Sequence, residues 1–432
     1  MRTFALLSWI MSCGVFGLTS VFSDTAKNII LNNVLKAIDT NDFNFKCSFE
    51  ILDNYTTNID KENIHLNVTQ LIIKNKYPVE EHHVTTDDGY ILTVIRMPND
   101  GPPVYLMHGL LCSADDFVTT NLPNSIAYNL WLEGYDVWIG NTRGNKYSRN
   151  HAILNPDTDK LFWDFSWDEI GRIDLTGIID YILTKTGMSQ LVYIGHSQGT
   201  TAYFVMCSER PEYNDKVALM ISLSTVGYMS RLKSPVIRAM IPFSEDFELF
   251  SESIGYFEVL PSDLFTNMFT TVFCSDPLLA SLVCANIMSI FSGFNCAQID
   301  FNNVAVIYGH LPSGSSTKQL LHYLQEVKSG KFQKYDYGPT KNLKVYGTKI
   351  PPDYEVKKIT SPVAIFYSDN DWLSNYTDVK ILIDQLPKVV DVYNVPLPKF
   401  THMDYLYAKD LKTLVYSRLV ELVKKYSPNL KW

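Results

Sequence analysis

The chain has 432 residues, which is enough for two or three average domains or for one long α/β enzyme. Its apolar fraction of 46% suits an ordinary globular core. The formal net charge is −9 and Lys and Arg are not clustered, which excludes a role in binding nucleic acid through its phosphates.

The N-terminus has the pattern of a secretory signal peptide. Arg2 precedes a mostly apolar stretch that ends in small residues before Asp24, so residues 1–23 are predicted to be a cleaved signal. The alternative is an uncleaved membrane anchor, which the Ser, Thr and Gly residues within the stretch disfavour. No later segment is apolar and long enough to span a bilayer, so we expect no transmembrane segment in the mature chain.

Secretion would expose the chain to an oxidising compartment that also glycosylates proteins. Cys13 leaves with the signal, and the even number of cysteines that remains permits disulfides without requiring them. Cys274 and Cys284 are the best local pair, because both lie in one compact segment. Sequons for N-glycosylation occur at Asn54, Asn67 and Asn375.

The remaining chain divides into segments that differ in composition and in the pattern of apolar residues. Residues 24–60 are polar and mixed in pattern, and form an N-terminal extension of unknown role. From Val79 onward short β-rich runs alternate with helical patterns, which predicts a parallel sheet with crossover helices. Strands are predicted at Val79–Thr86, Tyr90–Arg96, Val104–Met107, Tyr135–Ile139, Leu191–Ile194, Val217–Leu223, Val363–Tyr367 and Val389–Tyr393. Helices are predicted at Ser125–Glu133, Ser166–Thr186 and Gln198–Glu209.

A long insert interrupts this alternation after Ser224. It is rich in Phe, Leu, Met and Ile and lacks alternating runs, so we predict a helical cap over residues 225–360. The cap would separate two parts of one core, residues 61–224 and 361–432. Most of its apolar residues should serve ordinary packing, and some should line a pocket for an acyl chain.

The strongest chemical signal is the pentapeptide Gly195-His196-Ser197-Gln198-Gly199, which follows an apolar strand and opens a helix. A nucleophile on so tight a turn has a strained backbone, so the flanking positions must lack bulky side chains. The helix N-terminus beneath it favours developing negative charge. The motif could occur in a plain β–α turn, but this context predicts an α/β-hydrolase fold with Ser197 as its nucleophile.

A serine hydroxyl needs a base, and in this fold an acid and then a histidine follow the nucleophile along the chain. His402 lies just after the last predicted strand and is our candidate for the general base. His310 and His322 lie in the predicted cap, where we expect structural or surface roles. The acid should lie in the loop just after the predicted strand Val363–Tyr367. Asp369 and Asp371 both qualify there, and spacing does not distinguish between them.

An oxyanion hole needs two backbone N–H groups. We predict the first at Gln198, directly after the nucleophile, and the second at Leu110, where the adjacent Gly109 lets the backbone come close. No metal-binding motif and no Gly-rich phosphate or dinucleotide loop occurs in the sequence, so the chemistry is expected to need no cofactor.

These motifs resemble those of the acid lipase family, which comprises the gastric and lysosomal acid lipases and their insect relatives. The resemblance runs from about Leu66 to the C-terminus. It is carried by residues 67–72, 84–90, 108–111, 134–138, 140–145, 195–201 and 329–332, which read NVTQLI, VTTDDGY, HGLL, GYDVW, GNTRGN, GHSQGTT and SGKF.

The resemblance implies a catalytic triad of Ser197, Asp371 and His402, since the family's acid matches the aspartate that precedes Trp372. It implies a mostly parallel sheet with helices on both faces, a cap with a movable lid, and an oxyanion hole at Leu110 and Gln198. A disulfide matching Cys274 and Cys284 is implied as well. The implied substrates are triacylglycerols and cholesteryl esters, and an acidic working pH is a further expectation.

The sequence also departs from the family pattern. The N-terminal extension has no family counterpart with a known role, and Thr401 stands where the family usually has Asn. After the strand that ends at Leu223, the chain reads Ser222-Leu223-Ser224-Thr225-Val226-Gly227 where the family usually has an Ala-Pro run. None of these changes removes a catalytic group.

The sequence therefore predicts a secreted lipase or carboxylic ester hydrolase that acts on neutral lipid at a lipid–water interface, with the lysosomal lumen as the alternative location. The competing hypothesis is a catalytically inactive lipid carrier on a lipase scaffold, because function lies in the site rather than in the fold. Acyl transfer to an alcohol is a third possibility that uses the same residues.

Overall fold

A computed structural model of the chain describes residues 60–244, 257–262 and 284–427. The predicted signal peptide, almost all of the N-terminal extension, Asn54 and Cys274 lie outside the described residues.

The centre of the described structure is an eight-stranded, mostly parallel sheet with the strand order β1-β2-β4-β3-β5-β6-β9-β10. In chain order the strands are β1 Glu80–Thr85, β2 Ile91–Met97, β3 Pro103–Met107, β4 Asp136–Ile139, β5 Leu191–His196, β6 Val217–Leu223, β7 Glu258–Val259, β8 Ser315–Ser316, β9 Val363–Tyr367 and β10 Val389–Asn394. The pairs β1–β2 and β2–β4 are antiparallel, and the other neighbours in the large sheet are parallel. All eight predicted strands lie in this sheet.

The described α-helices are α1 Val68–Lys74, α2 Ile126–Leu132, α3 Trp167–Glu169, α4 Leu175–Thr186, α5 Gln198–Glu209, α6 Pro235–Met240, α7 Ala285–Ser292, α8 Phe301–His310, α9 Thr317–Ser329, α10 Pro339–Tyr346, α11 Tyr376–Ile383, α12 Asp404–Tyr407 and α13 Ser417–Tyr426. None of the helices in the described ranges is long and apolar enough to cross a membrane.

Both faces of the sheet are buried, which explains why the central strands are almost wholly apolar. Successive residues of β3 illustrate the alternation. Tyr105 and Met107 pack into one core with α4 and α5, whereas Val104 and Leu106 pack into a second core with α1, α2 and α13. The predicted arrangement of helices on both faces of a mostly parallel sheet is confirmed.

The helix predicted over Ser166–Thr186 is interrupted. Its start is as predicted, because Ser166 and Glu169 form a reciprocal capping box. A π-helical turn at Ile170–Asp174 then separates α3 from α4. The spacing of apolar residues could not predict this turn. Its last residue, Asp174, is fully buried and bonds to Arg143, a residue that lies far from it in the sequence.

The segment between β6 and β9 contains α6 to α10 in the part that the structure describes, in line with the helical character predicted for the cap. It also contains β7 and β8, which pair antiparallel with each other. Strands of two residues are too short to produce a recognisable alternation in the sequence.

Candidate active site

Ser197 occupies a sharp turn between β5 and α5. Its backbone has φ 52° and ψ −118°, a strained conformation for a residue with a side chain, and its N–H donates to the carbonyl of Leu223 at 3.1 Å. The two motif glycines are required by close approach. A Cβ at Gly195 would lie 2.8 Å from the Gly199 backbone, and a Cβ at Gly199 would lie 2.4 Å from the Met107 carbonyl oxygen. The turn is therefore as tight as the motif predicted.

The structure brings His402 to Ser197 and Asp371. His402 Nε2 lies 2.8 Å from Ser197 Oγ, and His402 Nδ1 lies 3.0 and 3.1 Å from the two carboxylate oxygens of Asp371. Asp371 follows β9 and His402 follows β10, just as Ser197 follows β5. Because these strands are parallel, all three residues lie at the carboxyl ends of the strands.

Asp371 is buried, and its carboxylate accepts several hydrogen bonds from protein groups. Oδ1 accepts from the N–H groups of Leu373 and Ser374 at 2.9 and 2.8 Å. Burial alone would raise the pKa of Asp371, but the interaction with His402 and the hydrogen bonds from His402, Ser224 and Ser374 outweigh it and hold the pKa below its ordinary value. Asp369, the other candidate acid, is exposed and has no contact with His402 among its hydrogen bonds.

Ser224 is a fourth side chain in this cluster, and the sequence reasoning missed its role. It directly follows β6, is fully buried, and has a positive φ of 53°. Its hydroxyl donates to Asp371 Oδ2 at 2.5 Å, and its Oγ lies 2.6 Å from His402 Nδ1. The available signal was the departure from the family's Ala-Pro run at this position.

The loop after β3 lies close to Ser197. A Cβ at Gly109 would lie 3.1 Å from Ser197 Cβ, so the backbone next to Leu110 lies against the reactive side chain. In the described residues no backbone or side-chain acceptor takes the N–H of Leu110. The N–H of Gln198 is the first of α5, a position that has no acceptor within the helix. Two donors are thus available beside Ser197.

Two buried histidines brace the loops around the site. His108 Nδ1 bonds to the Gly109 carbonyl at 2.8 Å, while its Nε2 accepts from Thr142 N–H at 3.1 Å. His196 Nε2 bonds to the His402 carbonyl at 3.0 Å. Burial lowers the pKa of His108 to about 4 and of His196 to about 3, so both imidazoles are neutral near pH 7 and add no charge next to Ser197.

The predicted cap also contacts the loops that carry Asp371 and His402. The carbonyl of Ser292, the last residue of α7, accepts from Trp372 N–H at 3.2 Å and from His402 N–H at 3.4 Å. On α9, the Gln319 side chain accepts from Gln198 Nε2 at 2.7 Å. The insert thus holds the backbone of the loops that carry Asp371 and His402, and the side chain next to Ser197.

Arg143 explains one stretch that carried the family resemblance. Its guanidinium is buried between Asp174, at 2.6 Å, and Asp88, also at 2.6 Å, and it lies over the ring of Tyr90 at 4.0 Å. Asp88 belongs to the hairpin turn between β1 and β2, so this cation joins that hairpin to the π-helical turn. The residue has a structural role here.

The two histidines expected to be structural lie away from the triad. His310 is buried, with Nδ1 2.8 Å from Asp115 and Nε2 2.8 Å from the Asn63 carbonyl. His322 is buried and stacks on Trp167 with ring centroids 3.7 Å apart. Neither hydrogen-bonds to Ser197, Asp371 or His402.

Disulfide bonding involves the cap cysteines. Cys284 and Cys296 are both disulfide-bonded, whereas Cys112 and Cys207 are free and buried. Cys274, the predicted partner of Cys284, lies outside the described residues, so that pairing stays a prediction. Within the described ranges, no group of three His, Cys, Asp or Glu side chains could hold a metal ion.

Two of the sequons fall at helix starts. Asn67 is the exposed N-cap of α1, and Asn375 is the half-buried N-cap of α11. In both, Oδ1 accepts a backbone N–H at 2.9 Å, which leaves Nδ2, the atom that carries an N-linked glycan, outside the capping bond.

The family comparisons agree with this geometry. A model of the partial α/β-hydrolase lipase region matches residues 68–121, and a model of the α/β-hydrolase fold matches residues 102–408. Lipase 1 of Drosophila melanogaster is 41% identical over 84% of this chain and 81% of its own length. The human gastric triacylglycerol lipase is 37% identical over 84% of this chain and 92% of its own length. The human lysosomal acid lipase/cholesteryl ester hydrolase is 35% identical over 86% of this chain and 93% of its own length.

Among solved structures, a soluble variant of the monoglyceride lipase of Saccharomyces cerevisiae has a TM-score of 0.50 at 14% identity, over 82% of this chain and 96% of the yeast chain. That likeness concerns the fold alone.

The class defined by this fold is the α/β-hydrolases. Within that class the chain belongs to the lipase family that includes the gastric and lysosomal acid lipases, as the sequence resemblance predicted, and it is a serine-type ester hydrolase.

Proposed function

We propose that this chain is a secreted lipase that cleaves neutral lipid esters, triacylglycerol or cholesteryl ester, through a covalent acyl-enzyme on Ser197. The observation that carries the proposal is the continuous hydrogen-bonded chain from Ser197 Oγ through His402 to Asp371. The substrate class is supported by the names of the gastric and lysosomal relatives.

In the acylation step, Ser197 Oγ attacks the ester carbonyl carbon while its proton passes to His402 Nε2, 2.8 Å away. Asp371 stabilises the imidazolium that forms and holds its Nδ1–H side. The N–H groups of Leu110 and Gln198 would then donate to the oxyanion of the tetrahedral intermediate.

Collapse of that intermediate breaks the bond to the alcohol, which leaves with the proton held on His402 Nε2. Water enters next and His402 takes one of its protons, so that hydroxide attacks the acyl-enzyme carbonyl. The second tetrahedral intermediate collapses to release the fatty acid and restore the Ser197 hydroxyl. The same histidine therefore acts as base and then acid in both halves of the reaction.

The proposal is tested with the secreted, purified chain assayed against a long-chain triacylglycerol, a cholesteryl ester and a short soluble ester. Ser197→Ala should abolish turnover of all that the wild type hydrolyses, with a loss of about 10³-fold or more. Ser208→Ala is the control, because Ser208 is a buried serine of α5, the helix that Ser197 precedes, and its hydroxyl donates to the Val205 carbonyl.

Turnover by Ser197→Ala close to wild type would reject the assigned nucleophile. Lipid binding without turnover, together with failure of a fluorophosphonate to label Ser197, would instead support the carrier hypothesis.

Secretion and modification are tested on the same preparation. The mature N-terminus should lie close to Asp24, and glycosidase treatment should lower the mass of peptides that contain Asn54, Asn67 or Asn375. An intact Met1 in the secreted protein would contradict the predicted signal peptide. The disulfide predicted between Cys274 and Cys284 should appear as one linked peptide pair in a non-reducing digest.

A further inference from the structure

We propose that Ser224 is a positioning residue of the active site, which holds the carboxylate of Asp371 and the imidazole of His402 in register for proton transfer. The inference rests on the proposed function, because it concerns the same reaction. It goes beyond the three-residue triad, and it rests on a side chain that lies where the family usually has an Ala-Pro run.

The position of Ser224 follows from the strand order. β6 lies between β5, which leads to Ser197, and β9, which leads to Asp371. The residue that directly follows β6 therefore emerges between the nucleophile and the acid. Its N–H donates to the carbonyl of Phe366 on β9 at 3.1 Å, which fixes the backbone against the strand that carries the acid.

The hydrogen-bond inventory defines what the hydroxyl does. The carboxylate of Asp371 is ionised and can only accept, so the single proton of Ser224 points to Oδ2 at 2.5 Å. The Ser224 oxygen is then left as an acceptor 2.6 Å from His402 Nδ1. Nδ1 thus faces three acceptor atoms and must carry the imidazole proton, which leaves the Nε2 lone pair directed at Ser197.

Each oxygen of Asp371 consequently has its own anchor. The N–H groups of Leu373 and Ser374 hold Oδ1, and the Ser224 hydroxyl holds Oδ2. Without Ser224, Oδ2 would lose its hydroxyl donor and keep, among the described residues, its 3.1 Å contact with His402 Nδ1; the shortest contact of Nδ1 would be lost as well. The carboxylate and the ring would both gain freedom to turn away from the reactive geometry.

The backbone of Ser224 supports the same conclusion. Its φ of 53° lies in the left-handed region, which residues other than glycine adopt at a cost. The surrounding structure retains this conformation, and the conformation aims the hydroxyl at both members of the pair.

The test compares Ser224→Ala and Ser224→Gly with a matched control, Ser222→Ala. Ser222 is equally buried two residues earlier, and its hydroxyl bonds to Thr225 Oγ1 at 2.6 Å rather than to the triad. Alanine removes the hydroxyl at the same backbone cost, and glycine removes it while relieving the positive φ. A soluble short-chain ester separates the chemical step from adsorption to lipid.

We expect kcat of both Ser224 variants to fall about tenfold, because the hydroxyl's hydrogen bonds to the Asp371 carboxylate and to the imidazolium that forms on His402 are lost. KM should stay within about twofold of wild type, since the Ser224 side chain is fully buried and bonds to Asp371 and His402. Labelling of Ser197 by a fluorophosphonate should slow in parallel. The low-field proton resonance of His402 Nδ1–H should move upfield in the Ser224 variants and stay in place in Ser222→Ala.

A wild-type kcat in Ser224→Ala, or an equal loss in Ser222→Ala, would overturn the assignment. If the wild type neither hydrolyses esters nor reacts with the phosphonate, the proposed function fails. The imidazole resonance would then still decide whether Ser224 holds His402, because it needs no turnover.

Discussion

The backbone contact at Gly199 leads to a prediction that joins folding to catalysis. Gly199 lies in the first turn of α5, two residues after Ser197. A Cβ there would lie 2.4 Å from the Met107 oxygen, 2.9 Å from the Met107 carbonyl carbon and 3.0 Å from the His108 oxygen. All three atoms belong to the backbone of β3 or of the loop that leads to Leu110, so no side chain can rotate out of the way.

In Gly199→Ala the helix or the loop must therefore move. Real Cβ atoms do not approach other atoms more closely than 3.0 Å, which sets a minimum shift of about 0.6 Å. Overpacking of this kind costs about 1–3 kcal/mol in the free energy of unfolding. A shift of this size between Ser197 and the loop that carries Leu110, the proposed oxyanion donor, should lower kcat by about 10- to 100-fold, by analogy with small misplacements at other active sites.

Gly177→Ala is the matched control, because Gly177 also lies within a helix, α4, but its nearest neighbour would be Val84 Cγ1 at 3.8 Å. That variant should keep full activity and gain about 0.5–1 kcal/mol from helix propensity. Urea unfolding and turnover of a soluble ester measure both quantities. Wild-type stability and activity in Gly199→Ala would refute the reasoning from close approach.

Two further predictions concern buried charges. Arg143→Met should lower the free energy of unfolding by about 3–5 kcal/mol, because it leaves the fully buried Asp174 without its cation. Adding Asp174→Asn to this variant should recover part of that loss. An unchanged urea midpoint in the single variant would contradict the argument. Burial raises the pKa of Asp404 to about 6, above its value of about 4 in the unfolded chain. The folded state therefore binds more protons than the unfolded state between these pH values. Because of this, the contribution of Asp404 to stability is lost as the pH rises from about 4 through 6. The stability of the wild type relative to Asp404→Asn should therefore fall by roughly 2 kcal/mol between pH 4 and pH 7 in urea titrations, and a difference that does not depend on pH would count against it.

The tight turns and the strand pattern were predictable from the sequence because they depend on neighbouring residues. The alternation of apolar runs identified all eight strands of the large sheet, and the Ser166–Glu169 pair marked a helix start by its spacing alone. The elbow at Ser197 was predictable because small residues at fixed offsets reflect a local steric requirement.

The partners of the acid were not predictable in this way. Spacing left Asp369 and Asp371 equivalent, and the family resemblance chose between them. In the structure Asp371 turns inward to His402, Leu373 and Ser374, while Asp369 faces solvent. The difference lies in how the loop after β9 folds against its neighbours, which no local pattern encodes.

By itself the sequence determined the eight strands of the large sheet, the family, and which residues could act as nucleophile, base and oxyanion donors. Only the tertiary structure decided that Ser224 bonds to Asp371 and His402, and that Arg143 joins Asp88 to Asp174. These contacts join residues far apart in the chain, and they exist because the strand order places separate loops at one edge of the sheet. Contacts of that kind depend on packing in three dimensions rather than on any repeat or motif along the chain.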